Sequence, residues 1–433
     1  MLKRLRPKSE FGLNVAKLMT GTGIGQIVPI AFSPILTRLF SPEDFGLLAL
    51  YIAVTSILGI VACGRYELAI MLPEREEDSA NILALSIMIA LGLGALTLGA
   101  ISLWHDEIAQ MLGNEDIASW LFLVPVSLIL TGCYQSFNYW LNRKKEFGTL
   151  AKSRVLQSGS IASSQVAIGS VKPSVDGGLI VGNILGQFMT VVYFVIKCLP
   201  SLKKVGRDID RHSMSLNARR YKKFPLYSSW GSLCDTTAVQ IPVIVISRSF
   251  GASIIGLFSF TFKILSLPFN LIATSISQVM LAKAVEMARE QPEALAPYIL
   301  KIFFILCIVV SPMIVVMQIW GEPLFAFVFG EKWRQAGDFA GMLSLAVAAR
   351  FTVSPLSAVL ILEHHIARGV AWQVFYLITI SLTLFSFASS SIDVFLVAFV
   401  LHEIALYTIY FAVIYYAASR PLDASENSEG NIN

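Results

Sequence analysis

The chain has 433 residues, of which 55% are hydrophobic and only 14% charged, with a formal net charge of +4. Soluble domains carry about 25% charged residues, so there is too little polar side chain here to coat a soluble body of this length. The solvent must be lipid, and the absence of a basic face within a soluble domain argues against nucleic acid as a partner.

The chain opens with Lys3, Arg4, Arg6 and Lys8, followed by a long apolar stretch. A secretory signal would have a shorter core and a small-residue cleavage site. Neither is found, so this first segment is expected to remain as an anchor. A membrane-crossing helix needs about 20 mostly apolar residues. About twelve such spans are expected, near 14–38, 45–71, 80–104, 117–140, 150–170, 177–198, 224–249, 254–280, 297–320, 338–363, 369–390 and 393–418. The fifth is rich in Ser and Gln and is expected to face other helices or a wet cavity, where small residues permit close packing. The five cysteines fall within or at the ends of apolar runs, show no metal-ligand spacing, and read as small packing residues.

With the N-terminus in the cytoplasm and sides alternating, about 24 of the 33 lysines and arginines fall in cytoplasmic segments. This bias predicts an even helix count with both termini inside. The basic stretch 199–223 is the largest loop and divides the chain into an N-terminal six-helix bundle (1–198) and a C-terminal one (224–420). Its plainer role is to fix topology beside anionic lipid. The polar tail 421–433 is expected to be disordered.

An offset of 210 residues aligns the ends of the first and seventh spans. Arg38 then falls on Arg248, Phe40 on Phe250, Gly46 on Gly256, Leu47 on Leu257 and Ser56 on Ser266. The matched corner begins each half. Two six-helix repeats of like orientation form a transporter architecture, with substrate bound between rocking bundles. Pro29, Pro34 and Pro242 allow the first helix of each half to bend.

Ionisable groups at membrane depth cost about 2.5–3.5 kcal/mol each on insertion scales and usually face a cavity or a partner. Lys263 and Arg350 lie near the middle of their spans, beyond easy reach of headgroups. Arg65 lies roughly 12 Å from the cytoplasmic end of its span and can snorkel. Arg38 and Arg248 sit at outer helix ends, where pairing with carboxylates such as Glu43 is the plainer role. The acids at depth are Glu67, Asp235 and Glu403, with His402 beside the last. They are candidates either for structural pairing or for coupling to H+ or Na+. Arg65 and Glu67 would point about 200° apart on a continuous helix and so are not expected to pair with each other. Glu363, His364 and His365 read as a solvated helix end rather than a metal site. The central cations Lys263 and Arg350 suit an anionic substrate such as a phosphate or pyrophosphate head.

Two motifs are specific. They are the F-S-P-x-D-F-G corner, carried by Phe40 to Gly46, and R-Y-E-L-A-I-x-L-P, carried by Arg65 to Pro73. In them the chain resembles Wzx-type polysaccharide and O-antigen flippases. These form the polysaccharide-transporter branch of the multidrug/oligosaccharidyl-lipid/polysaccharide (MOP) exporter superfamily. The resemblance implies an all-α integral membrane fold of MATE-like type, with two bundles around a central cation-lined cavity. It implies alternating-access translocation of undecaprenyl-pyrophosphate-linked oligosaccharide across the bacterial inner membrane for lipopolysaccharide or other surface polysaccharide. Membrane lipids and other polysaccharide-assembly membrane proteins would be its partners. It implies no enzymatic activity, no catalytic residues and no cofactor beyond a coupling ion.

Three other readings compete, one of them a non-transporting scaffold, for which duplicated halves and midplane cations have no evident use. A drug or metabolite antiporter of the same superfamily would favour carboxylates at the cavity centre. A membrane-embedded polysaccharide polymerase would carry reactive groups on a large external loop, and no external loop here exceeds about 17 residues.

Overall fold

The computed structural model of the protein describes residues 10–172, 176–363 and 366–419. Regular structure among them is entirely helical. Hydrocarbon offers backbone polar groups no partners, so a spanning segment must bond its own. Each expected span accordingly overlaps a helix, although 45–71 and 338–363 each run past the end of theirs, the latter into a 3-10 helix over Ser354–Glu363. In chain order these are α1 (Glu10–Leu39), α2 (Pro42–Gly59), α3 (Glu76–Leu112), α4 (Val124–Arg143), α5 (Phe147–Val171) and α6 (Gly178–Val205). They continue as α7 (Ser229–Phe250), α8 (Ala252–Glu290), α9 (Leu295–Phe329), α10 (Arg334–Val353), α11 (Ile366–Phe387) and α12 (Ile392–Ala418). Among the described residues seven helices are long and apolar enough to cross a membrane, or eight if 115–121 and α4, bent by 54°, form one broken span. The protein is a multi-pass membrane protein.

The F-S-P-x-D-F-G corner is a helix start. Ser41 caps α2 and Pro42 takes its first position, where no amide hydrogen is needed. The Ser41 amide donates to the Asp44 carboxylate (2.8 Å), and the Asp44 amide donates to the Ser41 hydroxyl (3.3 Å), closing a capping box.

The second expected span, 45–71, is not one helix. α2 stops at Gly59 and the chain then turns. Gly64 and Arg65 take positive φ values of 57° and 61°, and a 3-10 helix covers Tyr66–Met71. Apolarity continues past the true helix end, so hydropathy alone could not mark the break.

By compactness the chain forms two units, divided within α8. One comprises Met1–Ser259 with Val328–Trp333, the other Phe260–Phe327 with Arg334–Asn433. In the first unit α5 is clamped on two sides by pairs of glycines spaced four apart. Gly21 and Gly25 of α1 lie against the backbones of Ala151 and Arg154, and Gly182 and Gly186 of α6 lie against Gln165 and Ile161. Glycine pairs at this spacing let helix backbones approach closely, so the Ser- and Gln-rich span is lodged against helices, as its composition predicts. A core of Ile70, Ile82, Trp140 and Phe194 fills the space beside it.

The basic stretch is likewise built into this unit. Its helix Arg211–Arg220 is capped by Asp210, which accepts from the amides of His212 and Ser213. Hydrogen bonds from Ser213 hold the Asp210 carboxyl below the ordinary aspartate value, despite a small opposing effect of desolvation. Asn217 donates to Asp78 (3.2 Å), Asn81 donates to the Asp208 carbonyl (2.9 Å), and the Tyr66 hydroxyl donates to the Ala218 carbonyl (3.0 Å).

The repeat-matched glycines meet. A Cβ on Gly46 would strike the Ala252 carbonyl and approach the Gly256 amide, and one on Gly256 would strike the Pro42 carbonyl and approach the Gly46 amide. α2 and α8 thus cross backbone to backbone at equivalent points. Gly46→Val is expected to destabilise the protein by about 1–3 kcal/mol through overpacking, measured as a lower Tm in detergent. Gly99→Val is the control, because nothing lies within 4 Å of a Cβ there.

In the second unit, Met280, Ile299, Leu356, Val359 and Ile414 form one buried cluster, and Leu306, Val310, Ala348 and Phe351 form another. Large apolar side chains of α9, including Ile308, Ile319 and Phe327, are exposed. That is the expected solvation of a lipid-facing helix.

Candidate functional site

The positive φ at Arg65 decides the fate of its side chain. Because Arg65 sits at positive φ ahead of a 3-10 helix rather than within an α-helix, it and Glu67 do not diverge. Arg65 Nη1 lies 3.8 Å from Glu67 Oε1, which corrects the expectation that the two do not pair. Arg65 Nη2 donates to the Ser232 hydroxyl of α7 (3.0 Å), with the Ser228 hydroxyl at 3.5 Å. Glu67 is only 1% exposed, and its Oε2 has no hydrogen-bond partner. A non-glycine residue held at positive φ beside a half-satisfied buried carboxylate is a local conflict of the kind that collects at functional sites.

Arg350 has a different environment. Its Nη2 donates to Glu403 Oε2 (3.2 Å) and to the Tyr376 hydroxyl (2.8 Å), and Tyr376 in turn donates to Glu403 Oε1 (2.8 Å). Glu403 is fully buried at 0% exposure. The rings of Phe262 and Tyr407 face the guanidinium carbon at 5.5 and 5.8 Å. His402 Nδ1 lies 3.8 Å from Glu403 Oε1, while its Nε2 shares a hydrogen with Thr379. Here the Arg350–Glu403 ion pair joins α10 to α12, Tyr376 brings in α11, and Phe262 of α8 lies against the guanidinium, while among the described residues Arg350 Nε keeps no hydrogen-bond partner.

Lys263 of α8 stands apart. It is exposed, and among the described residues it has no ion pair or hydrogen bond. Arg38 turns back to the Pro34 carbonyl (2.8 Å) rather than to Glu43. Arg248 is exposed at the end of α7, where its backbone packs on Gly113. Asp235 lies on an exposed position of α7 and has an interaction partner. His364 and His365 lie outside the described residues, as do Lys3, Arg4, Arg6 and Lys8 and the tail beyond Ser419. No group of His, Cys, Asp and Glu suited to a metal ion occurs among the described residues.

A family described as "Polysaccharide biosynthesis protein" matches residues 35–338. The chain belongs to this family. The match runs from the last turn of α1 into α10, so it contains Arg65, Glu67 and Lys263 and stops short of Arg350 and Glu403. Among relatives, the chain is 24% identical over 325 residues to the succinoglycan biosynthesis transport protein ExoT of Rhizobium meliloti (strain 1021), covering 72% of this chain and 61% of the relative. It is 21% identical over 379 residues to the lipopolysaccharide biosynthesis protein WzxC of Escherichia coli (strain K12), covering 86% and 73%. The chain therefore spans less than two thirds of the first relative's length. Its fold is similar to that of a solved multidrug transporter. An inward-facing multidrug resistance MATE family transporter superposes with a TM-score of 0.73 at 15% identity, covering 92% of this chain and 96% of that one.

The sequence picks out Arg350 and Glu403 separately but does not link them, since they lie 53 positions apart. It misses Tyr376, Ser228 and Ser232, which carry no charge. Tyr376 could have been found only as a polar group on an otherwise apolar span.

Proposed function

We propose that the protein is a flippase of the bacterial inner membrane, with both termini cytoplasmic. It translocates oligosaccharide linked to undecaprenyl pyrophosphate for surface polysaccharide assembly, by opening a hydrated polar site alternately to the two membrane faces. The observation that carries this reading is Lys263, a cation expected at membrane depth, which is exposed and unpaired among the described residues. Such a group needs a partner, and an anionic pyrophosphate head supplies one through charge-assisted hydrogen bonds. Each unpaired sugar hydroxyl costs kilocalories in hydrocarbon, so a wet path is what the substrate requires. The family and the biosynthetic roles named for its relatives support the substrate class. A multidrug antiporter, as among the structural relatives, would present a free carboxylate to cationic drugs. The buried carboxylate of the second unit is instead neutralised by Arg350.

The test is export in a polysaccharide-producing strain deleted for its own flippase. The chain is expected to restore surface polysaccharide, and failure at normal membrane abundance would contradict the reading.

We assign the coupling-ion role to Glu67 rather than Glu403. Glu403 has both oxygens engaged, whereas Glu67 keeps one free beside a single long ion pair. Glu67→Gln is expected to remove the dependence of export on the H+ or Na+ gradient while the protein stays folded. An unchanged gradient dependence would remove Glu67 from this role.

A further inference from the structure

α8 has two exposed faces of opposite character. At about 100° per residue, Ser266, Asn270, Thr274 and Gln278 all fall within about 60° of the direction of Lys263. Ile272 and Val279 fall on the far side of the helix, where they are 38% and 63% exposed. The helix therefore already has an apolar face suited to acyl chains. The polar face is open as well, since Lys263, Asn270, Thr274 and Gln278 are all exposed.

The groups on this face are unspent. Among the described residues the side-chain amides of Asn270 and Gln278 make no hydrogen bond. The Ser266 hydroxyl is buried without a partner. The Thr274 hydroxyl gives its hydrogen to the carbonyls of Asn270 and Leu271 and keeps its lone pairs. Primary amides left open to hydrocarbon would each cost kilocalories, so this face borders water. From Lys263 the stripe runs about 22 Å along the helix toward its cytoplasmic end. It holds no second charge between Lys263 and Gln278.

Resting on the export reading, we propose that this face of α8 is a sugar-reading track whose anionic anchor is Lys263. The amides of Asn270 and Gln278 exchange hydrogen bonds with hydroxyls of the glycan and select which oligosaccharide moves. An amide offers a carbonyl acceptor and two N–H donors side by side, which matches a pair of neighbouring hydroxyls. With no further cation along the track, the sugars it reads are neutral ones, and charge recognition is confined to the head at Lys263.

The first test places single cysteines in the full chain after replacing Cys63, Cys133, Cys198, Cys234 and Cys307 with alanine. Inside-out membrane vesicles are treated with a charged, membrane-impermeant thiosulfonate. Thiolates form only where water reaches, so Asn270→Cys, Thr274→Cys and Gln278→Cys are expected to react at least about tenfold faster than Ile272→Cys and Val279→Cys. Equal rates on the two faces would overturn the track. The second test supplies two neutral glycans that differ by one hydroxyl to exporting cells carrying Asn270→Ala or Gln278→Ala. Loss of a hydrogen-bond reader is expected to shift the preference between them by about tenfold or more. An unchanged preference in both variants would overturn the sugar-reading role even if the face is wet. If the unaltered chain exports no polysaccharide at all, the export reading fails, while the labelling result still decides whether the track exists.

Discussion

Charge reversal at Lys263 abolishes export: Lys263→Glu is expected to lower surface polysaccharide by at least about 100-fold, with membrane abundance unchanged. A hydrogen bond to a charged group contributes about 1.5–3 kcal/mol, and 1.4 kcal/mol is a factor of ten. The glutamate also repels the pyrophosphate it replaces the ammonium to meet. Stability should hardly change, because Lys263 is exposed and makes no ion pair among the described residues. Lys263→Arg keeps the charge and should retain most export, whereas Lys263→Gln should fall between. Equal export by all three variants would remove Lys263 from the site. The measurement is quantitative blotting of surface polysaccharide against protein in the same membranes.

Glu403→Ala is expected to act on folding instead. Removing one member of a fully buried ion pair costs about 3–5 kcal/mol, and less than that is expected here because the Arg350 side chain is 24% exposed. Glu403 is fully buried and receives both Arg350 and Tyr376. The variant should show a sharply lower Tm in detergent and reduced accumulation. Arg350→Met combined with Glu403→Leu removes both charges and should recover much of the lost stability, since apolar replacement of a buried pair is often neutral or better. Should the double variant be stable and still export, Arg350 is structural and takes no part in binding substrate. A stable double variant that cannot export would return Arg350 to the substrate site. Both cations were read from the sequence as equivalent midplane charges, and this pair of variants separates them.

Much of the fold was legible because hydrocarbon imposes one solution on the backbone. Apolar length located the helices and many of their ends, but seven or eight of them, not twelve, are long and apolar enough to cross a membrane among the described residues. The composition of 150–170 foretold its packing, and Gly46 and Gly256, aligned as repeat equivalents, proved to touch. Hydropathy was silent where apolar sequence outlasts the helix. Ala62 and Cys63 are as buried as any core residue, yet the chain there has left α2 and is turning toward the positive φ of Arg65. That turn reversed the expected relation of Arg65 to Glu67. Charge counting likewise marked 199–223 as a basic connector without revealing its capped helix or its bonds to Asn81 and Asp78. The unpaired state of Lys263 and the commitment of Arg350 depend on which distant side chains arrive beside them. A single sequence does not record that.

The most direct measurement is translocation by the purified full-length chain in liposomes carrying a fluorescent undecaprenyl-pyrophosphate-linked oligosaccharide in the outer leaflet, read as its protection from an added quencher. Liposomes with the unaltered protein should protect the probe several-fold faster than protein-free ones, and those with Lys263→Glu should match the protein-free rate. Equal rates with and without the unaltered protein, or undiminished translocation by Lys263→Glu, would contradict a flippase that grips its anionic cargo at Lys263.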